Sequence, residues 1–157
     1  MTLHQCNLSV SLDDIRQLYL RHFPGVATAL EGTLMAGLTS PDVFFGQGVI
    51  SLSAKKHVPL LGELTAAAKV RPSAAADGHT LRLTLEKVAA GPLETGTLAK
   101  LVMSKLGTTV SALPGCRVEG NDLLVDLAVL TAAKGIKLGG RITAVDMLTD
   151  AIAISVA

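Results

Sequence analysis

T97-LAKLVMSKLGTTVSA-L113 is the stretch whose reading decides the fold expected from the sequence. Leu98, Val102, Leu106, Val110 and Leu113 recur at steps of four, four, four and three, which places them along one side of an α-helix. Lys100, Ser104, Thr108 and Ser111 fall on another side. Gly96-Thr97 offers a start and Pro114-Gly115 a stop, because a residue that precedes proline avoids helical backbone angles. The sequence on both sides of this segment reads as strands. The expected architecture is therefore α+β, a single domain over 1–157: a long amphipathic helix packed on a strongly curved antiparallel sheet, with a second helix near the N-terminus.

The strand evidence is clearest ahead of the helix. Leu64, Ala66, Ala68 and Val70 alternate with Thr65, Ala67, Lys69 and Arg71, and Leu81, Leu83 and Leu85 alternate with Arg82, Thr84 and Glu86. A period of two with one apolar face belongs to an antiparallel sheet that is covered on one side. Asp77-Gly78 between them is a turn signal. Val43–Phe45 and Val49–Ala54 read as strands flanking a bend at Gly46-Gln47-Gly48. Further on, Cys116–Val118, Leu123–Leu127, Ile136–Val145 and Ile152–Val156 read as strands, interrupted by a short helix in AVLTAAK (128–134) that Gly135 closes. Near the N-terminus, Ser11 and Asp14 have the spacing of a capping box with Asp in place of Glu, and open a helix over Ile15, Leu18, Tyr19 and Phe23 that Pro24-Gly25 ends. Val26–Leu38 is expected to be extended, since Gly32 and Gly37 weaken a helix.

Composition narrows the function classes. Of 157 residues, 49% are hydrophobic and only 17% charged, below the roughly 25% usual for a globular domain. No apolar run reaches the roughly 20 residues of a membrane span, so no transmembrane segment is expected, although transient membrane contact is compatible with the sequence. The surplus apolar surface must be covered inside the fold, by a partner or by a ligand. Aromatic residues make up 3% and tryptophan is absent, so the interior is aliphatic. A net charge of +1 with dispersed basic residues and few stacking rings argues against nucleic-acid binding. Cys6 and Cys116 belong to no disulfide framework and are expected to be free, half-buried thiols. MTLHQCNLSV lacks the basic and apolar regions of a signal peptide, which implies a cytoplasmic protein; a chain from which an export signal had been removed would read the same and be periplasmic.

Catalytic and metal motifs are missing. His4, His22, His57 and His79 are scattered, and no pair of close-spaced ligands joins His4 and Cys6, so no metal or other cofactor is expected. There is no G-x-S-x-G elbow and no phosphate loop. Gly46-Gln47-Gly48 precedes a strand and does not join a strand to a helix, so a dinucleotide site fails on context. Asp122, Asp126, Asp146 and Asp150 sit where turn acids sit. The expectation is a protein that is not an enzyme.

The second half combines a helix ending in LPG (113–115), the turn EGNDLLVDL (119–127), the segment GIKLGGRITAVDML (135–148) and a closing TDAIAISV (149–156). Together with the strands from Val49 to Val88, this resembles small bacterial proteins of the tubular lipid-binding superfamily to which bactericidal permeability-increasing protein belongs, over about Gly46 to Ala157. The resemblance implies a long helix wrapped by a curved antiparallel sheet, and binding or carriage of a lipid or another long apolar molecule between the two. From the residues, the walls of such a site would be Leu98, Leu101, Val102 and Val110 of the helix with Leu83, Leu85, Val125 and Ile142 of the sheet. The alternative is a scaffold or interaction protein that buries the same surface in a homo-oligomer or under a partner.

Overall fold

The computed structural model describes residues 2–32, 36–90, 93–94, 100, 103–104, 107–108 and 110–157, and the side chains of these except at positions 3, 29, 90, 93 and 94. The elements run β1 (Thr2–Leu3), β2 (Cys6–Ser11), α1 (Leu12–Ala29), β3 (Leu38–Gly46), β4 (Val49–Val58), β5 (Gly62–Ala74), β6 (Thr80–Ala90), β7 (Leu93–Glu94), β8 (Cys116–Glu119), β9 (Asp122–Asp126), α2 (Leu127–Ala132), β10 (Lys137–Leu138), β11 (Ile142–Met147) and β12 (Ala151–Val156).

This corrects the expected architecture. The fold is mostly β, with 53% of the described residues in strands and 22% in helices, and ten strands in antiparallel arrangement. No long amphipathic helix of the expected kind covers a sheet among the described residues. Of the segment Thr97–Leu113, the positions Leu98, Leu101, Val102 and Leu106 lie outside the described residues. The N-terminal helix, α1, lies beside β3, and Met103, one of the helical positions described between 100 and 111, packs against the cluster of Leu30, Ala66, Leu85 and Val88. The physical reason is that the strand segments run longer than their apolar alternation alone marks: β5 spans 13 residues and β6 spans 11.

Seven strands form one sheet in the order β3-β4-β5-β6-β9-β8, with β7 also paired to β6. A second sheet has the order β11-β12-β2, so the last strand pairs with one of the first. β1 and β10 form a short parallel pair. The main core gathers Val43, Ile50, Leu127, Leu138, Ile142, Ile152, Ile154 and Val156, and a smaller one gathers Leu30, Ala66, Leu85 and Val88.

α1 begins as the sequence indicates. The Ser11 hydroxyl oxygen accepts the Asp14 N–H at 3.0 Å, and its O–H donates to the Asp14 carboxylate at 2.7 Å. Arg16 then ties the helix to β3, pairing with Asp42 at 3.3 Å and donating to the Val43 carbonyl at 3.1 Å. The expected end at Pro24-Gly25 is wrong: the helix continues through Pro24 to Ala29, and Val26–Ala29 are helical instead of extended. An interior proline costs about 3 kcal/mol. Here Phe23 and Leu30, 8% and 2% exposed, and half-buried Val26 between them offset it by burying the inner face. Leu18, expected on that face, is 55% exposed.

The Asp77-Gly78 turn forms as expected, with Gly78 at φ +76°. The Asp77 carboxylate accepts from the His79 and Thr80 N–H groups at 2.8 and 2.9 Å and from the Thr80 hydroxyl at 2.6 Å. The Thr80 hydroxyl, followed by these backbone donors, pulls the Asp77 carboxyl down to about 2. A lowered carboxyl pKa contributes stability that is fully present above the unfolded value of 3.8 and is lost as pH falls toward 2. Asp77→Ala should therefore melt lower than wild type at neutral pH, with the gap closing as melting is followed from pH 4 to pH 2. A gap that stays constant over that range would show that the carboxylate charge is not what the turn uses.

Candidate functional site

A cleft of about 180 Å³ lies between the C-terminal half of α1 and the inner face of β3–β6. Tyr19, Val26 and Leu30 form its roof, Leu38 and Val88 its sides, and Leu52, Ala54, Ala66 and Ala68 its floor, with Ser53 and Ala67 contributing beside them. The floor follows from register. Ala54 pairs with Ala66 and Leu52 with Ala68, so alternate residues of two strands point at the helix, and three of those four are alanine. Alanine carries one carbon beyond the backbone and cannot reach the helix, so a void remains where larger residues would close the core.

A bulge shapes the far side. Lys69 pairs with Lys87 while Val70 pairs with Leu85, leaving Glu86 as the extra residue of β6. The shift lets both Leu85 and Val88 point inward, 7% and 3% exposed, although they are an odd number of residues apart. Glu86 turns outward and pairs with Arg71.

The cleft holds little polarity. The Tyr19 hydroxyl donates to the Ser53 carbonyl at 3.4 Å, and its ring meets Phe23 edge-on with centroids 5.6 Å apart. Burial pushes the Tyr19 phenol up to about 12, so it stays neutral at any physiological pH. Such a site offers dispersion contacts and one hydroxyl, and it suits an aliphatic group or a small ring. Its volume is close to the roughly 150 Å³ of an apolar cavity that takes up benzene.

The sheet residues expected to line a site are divided between places. Leu85 belongs to the small core beneath the cleft, without lining it. Ile142 is a member of the main core and Val125 packs against it. Leu83 is half-buried in β6, and Val110 is half-buried. Leu98, Leu101 and Val102 lie outside the described residues. None of the five described residues lines the cleft under α1. The missed signal was in plain view: the run Ala66-Ala67-Ala68, whose small side chains on a buried strand face leave room.

Two other features stand apart from this cleft. A larger, open groove of about 690 Å³ runs past Lys100, Met103 and Ser104 to the β8–β9 turn at Val118–Asp122. Its acids already have partners, Glu119 with Arg117 at 3.1 Å and Asp122 with Arg82 at 3.6 Å. Among the described residues no three His, Cys, Asp or Glu side chains gather as metal ligands, and Cys6 and Cys116 are both free. No helix among the described residues is long and apolar enough to cross a membrane.

In comparisons with known protein families, curated proteins and solved structures, the chain matches none.

Proposed function

We propose that this protein binds an aliphatic ligand, such as the end of a lipid acyl chain, in the cleft beneath α1. The observation that carries this is the alanine floor: a void of about 180 Å³ lined by apolar side chains, at the meeting of helix and sheet. The cleft opens to solvent, so an apolar occupant would displace water from apolar walls and make the dispersion contacts that the alanine floor leaves unmade. Apolar pockets of this kind, with a single polar group, are usual for small-molecule sites.

The chain supplies its own reporter. Tyr19 is its sole tyrosine and there is no tryptophan, so ultraviolet emission comes from a ring in the cleft wall. Titration with a medium-chain fatty acid below its micelle threshold should change Tyr19 emission saturably and raise the melting temperature. Unchanged emission and melting at saturating fatty acid would reject the cleft as the site.

A further inference from the structure

The β4–β5 hairpin extends beyond its neighbours. On one side the pairing of β3 with β4 ends at Leu38 opposite Lys56, and on the other the pairing of β5 with β6 ends at Ala66 opposite Ala90. Past these positions β4 and β5 pair only with each other among the described residues, out to Val58 opposite Gly62. The resulting two-stranded tip, from Lys56 opposite Leu64 to Val58 opposite Gly62, is about 7 Å long by strand rise. The alanine floor lies just below it on the same face, since Ala54 and Ala66 line the cleft and pair two residues before Lys56 and Leu64.

The tip is unusual in two respects. Leu60 and Leu61 are 105% and 69% exposed, the most exposed of the large apolar residues described. Val58 to Leu61 forms a turn closed by the Leu61 N–H on the Val58 carbonyl at 3.1 Å, with Pro59 second and Leu60 third at φ +71°. That is the pattern of a type II turn, whose third position takes glycine or asparagine because a side chain is strained there. Here a leucine occupies it and points its side chain into water. On the face shared with the cleft floor, Leu64 and Val58 continue an apolar track from Ala66 toward the tip, beside Lys56.

We propose that this arm is a membrane-contact element: Leu60 and Leu61 enter the interface of an anionic lipid surface, the basic residues behind them meet the headgroups, and the cleft draws its ligand from that surface. The ligand source deepens the function proposed above and rests on it; the membrane contact does not. Two observations favour a lipid surface over a protein partner. Two leucine tips cover a small fraction of the roughly 1,200 Å² that a stable protein interface buries, whereas interfacial insertion needs only a few apolar side chains aided by basic neighbours. Over residues 55–64 the formal charge is +1, from Lys55 and Lys56 against the single acid Glu63, which Lys55 meets at 3.0 Å, with a neutral His57 beside them.

The test is flotation of the full chain with phosphatidylcholine vesicles, with and without phosphatidylglycerol, for wild type and for a Leu60→Gly/Leu61→Ser double variant. Wild type should float with the anionic vesicles, more weakly in high salt. The variant should lose about tenfold or more of that partitioning. Because both leucines are exposed and glycine accepts the turn's backbone angles, its melting temperature should hold or rise. A variant that floats as well as wild type, or a wild type that does not float, would overturn the proposal. So would a wild-type dimer in sedimentation that the variant dissolves, which would make the tip a protein contact. The two ideas fail separately. Loss of the Tyr19 response to fatty acid with flotation intact removes the cleft ligand and supports the tip, whereas a retained Tyr19 response with no flotation rejects the tip alone.

Discussion

Ile154→Asp is expected to leave a chain that does not fold. Ile154 is 3% exposed in β12, the middle strand of its sheet, with Val145 of β11 on one side and Leu8 of β2 on the other. It sits in the main core with Ile142, Ile152 and Val156. Placing an unpaired carboxylate there costs several kcal/mol or more, comparable with a total stability of roughly 5–15 kcal/mol. β12 also holds the two ends of the chain together, so its loss releases β2 and the start of α1, whose Leu12 N–H donates to the Asp150 carbonyl at 2.6 Å. Circular dichroism and thermal melting of the purified protein check this. Leu148→Asp is the control, since Leu148 is 51% exposed and its replacement should leave melting nearly unchanged. A cooperative melt for Ile154→Asp would show that the small sheet is not part of the folding unit.

The second large effect concerns the cleft. Ala68→Leu adds three carbons to a residue on the alanine floor. In a close-packed core, overpacking of this size costs about 1–3 kcal/mol. In a void of about 180 Å³ the same carbons find space, and at about 0.8 kcal/mol per buried methylene the variant should be as stable as wild type or up to about 2 kcal/mol more stable. Fatty-acid affinity, read from Tyr19 emission, should fall at least about tenfold, because the new side chain occupies the ligand's place. Melting and titration on the same sample separate the alternatives. A destabilised variant, with a wild type that binds no fatty acid, would leave the cleft as ordinary core.

Much of the local structure was legible in the residues. Alternation through Leu64–Arg71 and Leu81–Glu86 marked β5 and β6, because a strand with one covered face has to repeat every two residues. Asp77-Gly78 and Gln47-Gly48 marked turns, and Gln47 and Gly48 indeed have φ of +53° and +73°. Ser11 marked the start of α1, whereas Asp126, expected as a turn acid, caps α2 through the N–H groups of Ala128 and Val129. The candidate site was much less legible. Leu81, Leu83 and Leu85 share one side of a strand, yet Leu81 packs against the main core and Leu85 belongs to the small one. Which cluster a side chain joins depends on what lies over the strand at that level, and the alternation is silent on that.

What the sequence determined by itself is the set of local commitments: where strands alternate, where turns and caps fall, and how little polar chemistry the interior could hold. These follow from backbone sterics and short-range hydrogen bonds within a few residues. What the tertiary structure alone decided is that α1 lies beside β3, that it runs through Pro24, and that the bulge at Glu86 turns Val88 inward. Each depends on burial against residues distant in the chain, where apolar contact is strong enough to outweigh a local preference of about 3 kcal/mol. The cleft itself belongs to this second kind, because it is a space left between elements, and no single stretch of sequence contains it.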